Sequence, residues 1–127
     1  MNARLTQHIA HNTQYLLLLI LLTLPAYQPL LTSALTCGYD NVLHLWRAVE
    51  TDALLRHGIL YSRWQPHMAL GFGYPLLLFN PPLSPLFAAL LHRLGLTWPV
   101  AVNAVFIIGT LLSAWTAWLL AREWWGE

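Results

Sequence analysis

The sequence predicts an all-α membrane protein in which two transmembrane helices flank an outward segment with two interfacial amphipathic helices. Three observations predict it. Of the 127 residues, 57% are hydrophobic and only 9% charged, with seven Trp and one Cys. The mean hydropathy is +0.53, a composition suited to lipid as the solvent. Two apolar stretches near the ends are long enough to cross a hydrocarbon core of ~30 Å. Between them, apolar residues recur at helical spacing on either side of a Pro- and Gly-rich stretch. The formal charge is +1 and all six basic residues are scattered Arg. No basic patch exists to neutralise phosphates, which excludes a nucleic-acid partner. Cys37 is alone, so there is no internal disulfide to place.

The first span, expected over about residues 13–35, is built on YLLLLILLTL, Tyr15 to Leu24. Arg4 precedes it without an accompanying acid. No small-x-small cleavage site follows closely, and ALTC before Gly38 places Thr36 where a lipobox wants Gly or Ala, so the run reads as an uncleaved signal anchor. Pro25 and Pro29 each lack a backbone donor and should bend or end its outer part. Asp40 to His57 then reads as an amphipathic helix. Val42, Leu45, Trp46, Val49 and Ala53 form its apolar stripe, while Asp40, His44, Arg47 and Thr51 form the opposite one. Asp40 suits the N-cap and Gly58 the left-handed stop. The segment is too polar to span and should lie in the interface, with its apolar stripe toward lipid or other helices.

Tyr61 to Pro85 holds two Gly and five Pro, which forbid a long regular element. It also holds Trp64, Phe72, Tyr74 and Phe79, so an ordered, partly buried loop at the membrane surface is expected. Leu83 to Leu94 makes a short helix rising only ~18 Å, interfacial or re-entrant; the alternative, a third span beginning near Leu76, has Pro81-Pro82 against it. Pro99 opens the last helix, Val100 to Ala121, whose ~33 Å rise suffices to cross. Gly109, Ser113 and Ala117 make a small-xxx-small stripe for a partner helix. Trp118, Trp124 and Trp125 suit an interfacial belt. With Arg4 before the first span and Arg122 after the second, both termini are expected in the cytoplasm. The chain is then a multi-pass protein of the cell membrane, a single membrane domain over residues 1–127 with residues 36–99 outside.

The order of these parts carries a resemblance. The series is Gly38-Tyr39-Asp40 with His44, Leu60-Tyr61-Ser62-Arg63-Trp64 with Pro66, Gly71-Phe72-Gly73-Tyr74-Pro75, and Pro81-Pro82-Leu83-Ser84. It is similar to the N-terminal region of GT-C fold glycosyltransferases, and more closely to the bacterial membrane proteins called 6-pyruvoyl-tetrahydropterin synthase-related, over about residues 10–122. The resemblance implies an integral membrane enzyme taking a sugar from a polyprenyl-phosphate donor on the outer face. It further implies an acid–base or metal-partner role for Asp40, which holds the position of an aspartate in the first outward loop. Such enzymes have several hundred residues and many spans. The chain is therefore expected to be the N-terminal part of a larger protein, inactive alone.

Read from the residues, Asp40 and His44 share a helical face, so an Asp–His relay or two ligands of a divalent metal ion are sterically allowed, though no third ligand is evident. The bland reading has Asp40 capping the helix and pairing with His44. Arg63 and Arg93 could meet a lipid phosphate or a sugar-phosphate donor, or snorkel from the interface. Trp64 and Tyr74 could stack on a sugar ring or pack on helices. Gly71-Phe72-Gly73 lacks the strand and Lys of a nucleotide loop. His57, His67 and His92 read as polar tips without ligand spacing. Two rival functions stay open: a small non-enzymatic subunit that associates through Gly109, Ser113 and Ala117, and a proton-coupled path through Asp40 and His44. The latter wants ionisable groups inside a span, and both spans lack Asp, Glu and Arg between their ends.

Overall fold

A computed structural model describes residues 3–38 and 40–125, with side chains from Thr13 onward. Tyr39 of the motif series, the Arg4 side chain and Glu127 lie outside the described residues. Four α-helices follow one another: α1 Ala3–Tyr27, α2 Asn41–Arg56, α3 Leu83–Arg93 and α4 Trp98–Trp125. Among the described residues there is no strand, only one isolated antiparallel bridge between Gln65 and Tyr74. Thr13–Leu30 and Trp98–Trp125 are long and apolar enough to cross a membrane. The chain divides into two compact units, Met1–Pro29 with Phe106–Glu127, and Leu30–Val105.

In the first unit, α1 ends at Tyr27, short of the expected residue 35, and Pro25 lies inside it. Proline removes the amide that would bond one turn back. The helix runs two residues further and gives way to a 3-10 turn over Gln28–Leu30. Nearby carbonyls are covered by side chains: Thr23 Oγ1 donates to Leu19 O at 2.6 Å and Tyr27 Oη to Ile20 O at 3.0 Å. Along α4, Trp118 packs against Trp115 and Tyr15, with ring centroids 4.8 and 5.5 Å away. The Arg122 guanidinium lies 4.9 Å from the Trp118 ring centre, a cation–π contact. Gly109, Ser113 and Ala117 are all exposed, and a Cβ at Gly109 would meet nothing within 4 Å. Helix α4 extends beyond the expected Val100–Ala121 at both ends, because Trp98 and Pro99 fit its first turn and nothing after Ala121 breaks it.

The second unit closes around small side chains. Ala48 of α2, Ala88 of α3 and Val102 of α4 pack together, with Leu35, Leu45, Trp98 and Val105 against them. Three elements can approach closely here because alanine brings no bulk. Asn103, buried in α4, donates through Nδ2 to the carbonyls of Ala34 at 3.0 Å and Thr32 at 3.3 Å. It thereby satisfies a stretch of chain with no ladder of its own. Helix α3 ends at Arg93, and the 3-10 turn at Leu76–Leu78 is separate from it. The short helix thus stands alone, and a continuous third span from Leu76 is absent.

Both α2 and α3 stop in the same way. After α2, Gly58 has φ +77°, its N–H bonds to Leu55 O at 3.1 Å, and Ile59 N–H bonds to Leu54 O at 3.0 Å. After α3, Gly95 has φ +107°, with bonds from Gly95 to His92 O and from Leu96 to Leu91 O. These are Schellman motifs, in which a left-handed glycine lets two amides turn back onto the last carbonyls. The expected stop at Gly58 is therefore realised.

Helix α2 divides its faces in a way that periodicity does not specify. Val42 and Trp46 of the apolar stripe are exposed, whereas the buried residues are Ala48, Glu50, Thr51, Asp52 and Leu54. That stripe is expected toward lipid or other helices, and Leu45 of it packs on the core. The actual inward face is set by the close approach at Ala48 and by partners that neutralise two acids.

Residues 65–74 form a tight projecting loop. Gln65 and Tyr74 exchange N–H···O bonds at 2.9 and 3.0 Å and close its neck. Beyond the neck, Ala69, Leu70, Gly71 and Gly73 all have positive φ, at 52°, 59°, 90° and 81°. For Ala69 and Leu70 this left-handed conformation costs about 1–2 kcal/mol each. The Met68 carbonyl offsets part of that cost by accepting from Gly71 at 3.2 Å and Gly73 at 2.9 Å. Gly73 is also required sterically, because a Cβ there would run into the Trp64 indole.

Candidate functional site

Polar chemistry in the second unit concentrates on α2, whose two acids, Glu50 and Asp52, are both buried. Asp52 is 3% exposed. Its Oδ1 accepts from Arg93 Nε at 2.6 Å and its Oδ2 from Arg56 Nε at 2.8 Å. Arg93 also donates through Nη2 to the Asp52 carbonyl at 3.3 Å. Burial alone pushes the Asp52 carboxyl up. The hydrogen bonds and charges of Arg93 and Arg56 outweigh it and hold the group below its ordinary value. This ion triad clamps the ends of α2 and α3 together, with the guanidiniums half-open to the exterior.

Glu50, 2% exposed, accepts the backbone N–H of His67 at 2.9 Å. It also contacts His67 Nδ1 at 3.0 and 3.1 Å through its two oxygens. A carboxylate only accepts, so His67 donates through Nδ1–H in these bonds. One buried acid thus seats the base of the 65–74 loop on α2. Within that neck the Gln65 side chain is fully buried, and its amide has no protein partner among the described residues.

Of the residues singled out from the sequence, Arg93 and His67 belong to these anchors. Asp40 holds the N-cap position, and its carbonyl accepts the His44 N–H at 3.0 Å. Its side chain is exposed and makes no capping bond, which corrects the expected side-chain cap. The backbone at Asp40 is helical rather than extended (φ −101°, ψ −3°), so its carboxylate is not aimed at the amides of the first turn. The local polar bonds come from its neighbour instead: Asn41 Nδ2 donates to Thr36 O at 2.6 Å and to Thr36 Oγ1. His44 is partly buried. Desolvation first, then the charge of Arg47, lower its pKa below 6.5, against a raising influence from Asp40. Asp40 and His44 therefore interact through space, with His44 held toward its neutral form.

Arg63 is exposed, Trp64 is half-exposed with its ring over Gly73, and Tyr74 is 46% exposed beside Gln65. The bridge brings the stretches carrying Trp64 and Tyr74 together at the loop neck. The loop is joined to α2 by the bonds between Glu50 and His67. Among the described residues, no group of three His, Cys, Asp or Glu side chains is placed to hold a metal ion.

Sequence reasoning missed Glu50, Asp52 and Gln65. A usable signal existed, since an acid inside so apolar a segment must find a donor. An apolar cavity of about 160 Å³ lies at the end of α2, lined by Thr51, Leu54, Tyr61, Leu77, Leu83 and Leu86 among others. Comparison of the chain with known proteins finds no matching family model, no matching curated protein and no matching solved structure.

Proposed function

We propose that the chain is the N-terminal portion of a GT-C-like integral membrane glycosyltransferase that uses a polyprenyl-phosphate sugar donor. It resides in the cell membrane with both termini cytoplasmic. The observation that carries the reading is the ordered motif series from Gly38 to Ser84. Support for the membrane setting comes from the exposure of apolar side chains on both long helices, such as Leu17 at 61%, Leu22 at 67% and Leu112 at 58%. A core helix of a water-soluble protein would bury such residues. Asp40 is the acid–base candidate, with an exposed carboxylate and His44 one turn along. Arg63, Trp64 and Tyr74 are the candidates for sugar-phosphate and sugar contacts near the loop neck. Replacing Asp40 by Ala in the parent protein is expected to abolish sugar transfer in isolated membranes while leaving membrane insertion intact. Unchanged transfer would sink the catalytic role.

A second reading, a small non-enzymatic subunit, is favoured by the open stripe at Gly109, Ser113 and Ala117, which allows a second helix to approach closely. Gly109→Leu would then abolish crosslinking to a partner in native membranes. Whether the reading frame runs on past Glu127 into further apolar spans separates the two readings.

A further inference from the structure

We propose that the 65–74 loop is a lipid-inserting hook whose tip, Leu70 and Phe72, sits among the headgroups and upper acyl chains of a bilayer leaflet. Leu70 is 98% and Phe72 84% exposed. The left-handed run through Ala69, Leu70, Gly71 and Gly73 turns these apolar side chains outward. A loop facing water has no use for a strained backbone that displays Leu and Phe, whereas an apolar medium rewards it. The charge pattern selects lipid as that medium. Between Arg63 and Arg93 the sequence contains no Asp, Glu, Lys or Arg. Leu78, Phe79, Leu83 and Phe87 in the same stretch are also at least half exposed.

The neck suits the boundary between lipid and water. Trp64 and Tyr74, each about half exposed, bracket it, and such amphipathic rings settle at headgroup depth. His67, the one histidine of the loop, is tied back to the buried Glu50, and the nearest formal charge in sequence, Arg63, lies before the neck. An apolar tip, an aromatic collar and a polar anchor follow one another along the loop, the arrangement by which monotopic elements reach about 5–10 Å into a membrane. This inference rests on the membrane reading of the two long helices and adds a third, non-spanning point of contact.

The test uses the full chain in lipid vesicles, with Cys37 replaced by Ser and single cysteines introduced as Leu70→Cys, Phe72→Cys or Leu112→Cys. Each is labelled with an environment-sensitive fluorophore and exposed to doxyl-labelled phospholipids. Leu70 makes almost no contacts, so its replacement removes no packing. Blue-shifted emission at 70 and 72, quenched most by lipids labelled near the headgroup, is the expected result. Quenching at 112 but not at 70 and 72 would overturn the hook while leaving the membrane reading intact. Shielding of 70 from aqueous iodide without quenching by lipid would mean that a protein surface covers the tip, and would also overturn it. Absence of lipid quenching at all three sites would defeat the hook and the membrane reading together.

Discussion

Glu50, Asp52, His67 and Arg93 show how a few side chains decide where an apolar chain folds. Two acids go inward on α2 because each finds donors there, and the two solutions differ in strength. Arg56 is a largely exposed i,i+4 partner of Asp52, a class worth about 0.3–0.5 kcal/mol. Arg93 is less exposed, closer, and reaches Asp52 from another helix. Arg93→Ala should therefore cost roughly 2–3 kcal/mol, because it leaves a buried carboxylate short of a donor. Arg56→Ala should cost no more than about 0.5 kcal/mol. Denaturant unfolding of the two variants checks the order. The pH dependence separates two groups. Asp52 has a depressed pKa, so its contribution is present above its ordinary value of 3.8 and is lost as pH falls through the lower folded value. His44 is also depressed, so the unfolded chain binds its proton first and stability falls as pH drops below 6.5. His44→Gln is expected to flatten the upper part of a stability-against-pH curve and leave the acid limb unchanged.

At the scale of elements, the helices were legible in the sequence because their signals are local. The stop at Gly58, the short α3 and the apolar α4 all follow from residue types within a turn or two. The inward face of α2 was not legible. Hydrophobic periodicity treats Glu50 and Asp52 as solvent-facing, and only partners 17 and 41 residues away reverse that. The hook was half legible, since Gly71, Gly73 and the aromatics announced an ordered loop but not its left-handed turn. Glycine substitutions distinguish conformational from steric demands. Gly58→Ala meets no neighbour, so its cost should be the left-handed penalty alone, about 1–2 kcal/mol. Gly73→Ala incurs the same penalty and must also displace the Trp64 ring. It should lower the thermal midpoint further and change the near-ultraviolet circular dichroism, which Gly58→Ala should not.

At the scale of the whole molecule, the candidate site was less legible than the fold. Asp40, His44, Arg63, Trp64 and Tyr74 were chosen for chemistry and motif order, and neither fixes distances between segments. The topology proposed above has its own reporter, because Cys37 is exposed and is the only thiol in the chain. With residues 36–99 outside, a membrane-impermeant maleimide should label Cys37 in intact cells. Labelling only after permeabilisation would invert the orientation.

The Asn103 side chain carries a consequence of a different kind. Its bonds reach back 69 and 71 residues, to Ala34 and Thr32. At a synthesis rate of about 5–20 residues per second, the donor emerges roughly 4–14 s after its acceptors. The Glu50–His67 and Asp52–Arg93 bonds close over shorter separations and become available earlier, in that order. The second unit can therefore be wound up progressively during translation, from the Glu50–His67 anchor to the helix clamp to the Asn103 latch. Nascent chains arrested before Asn103 emerges should be cleaved faster at residues 32–34 than chains arrested after it.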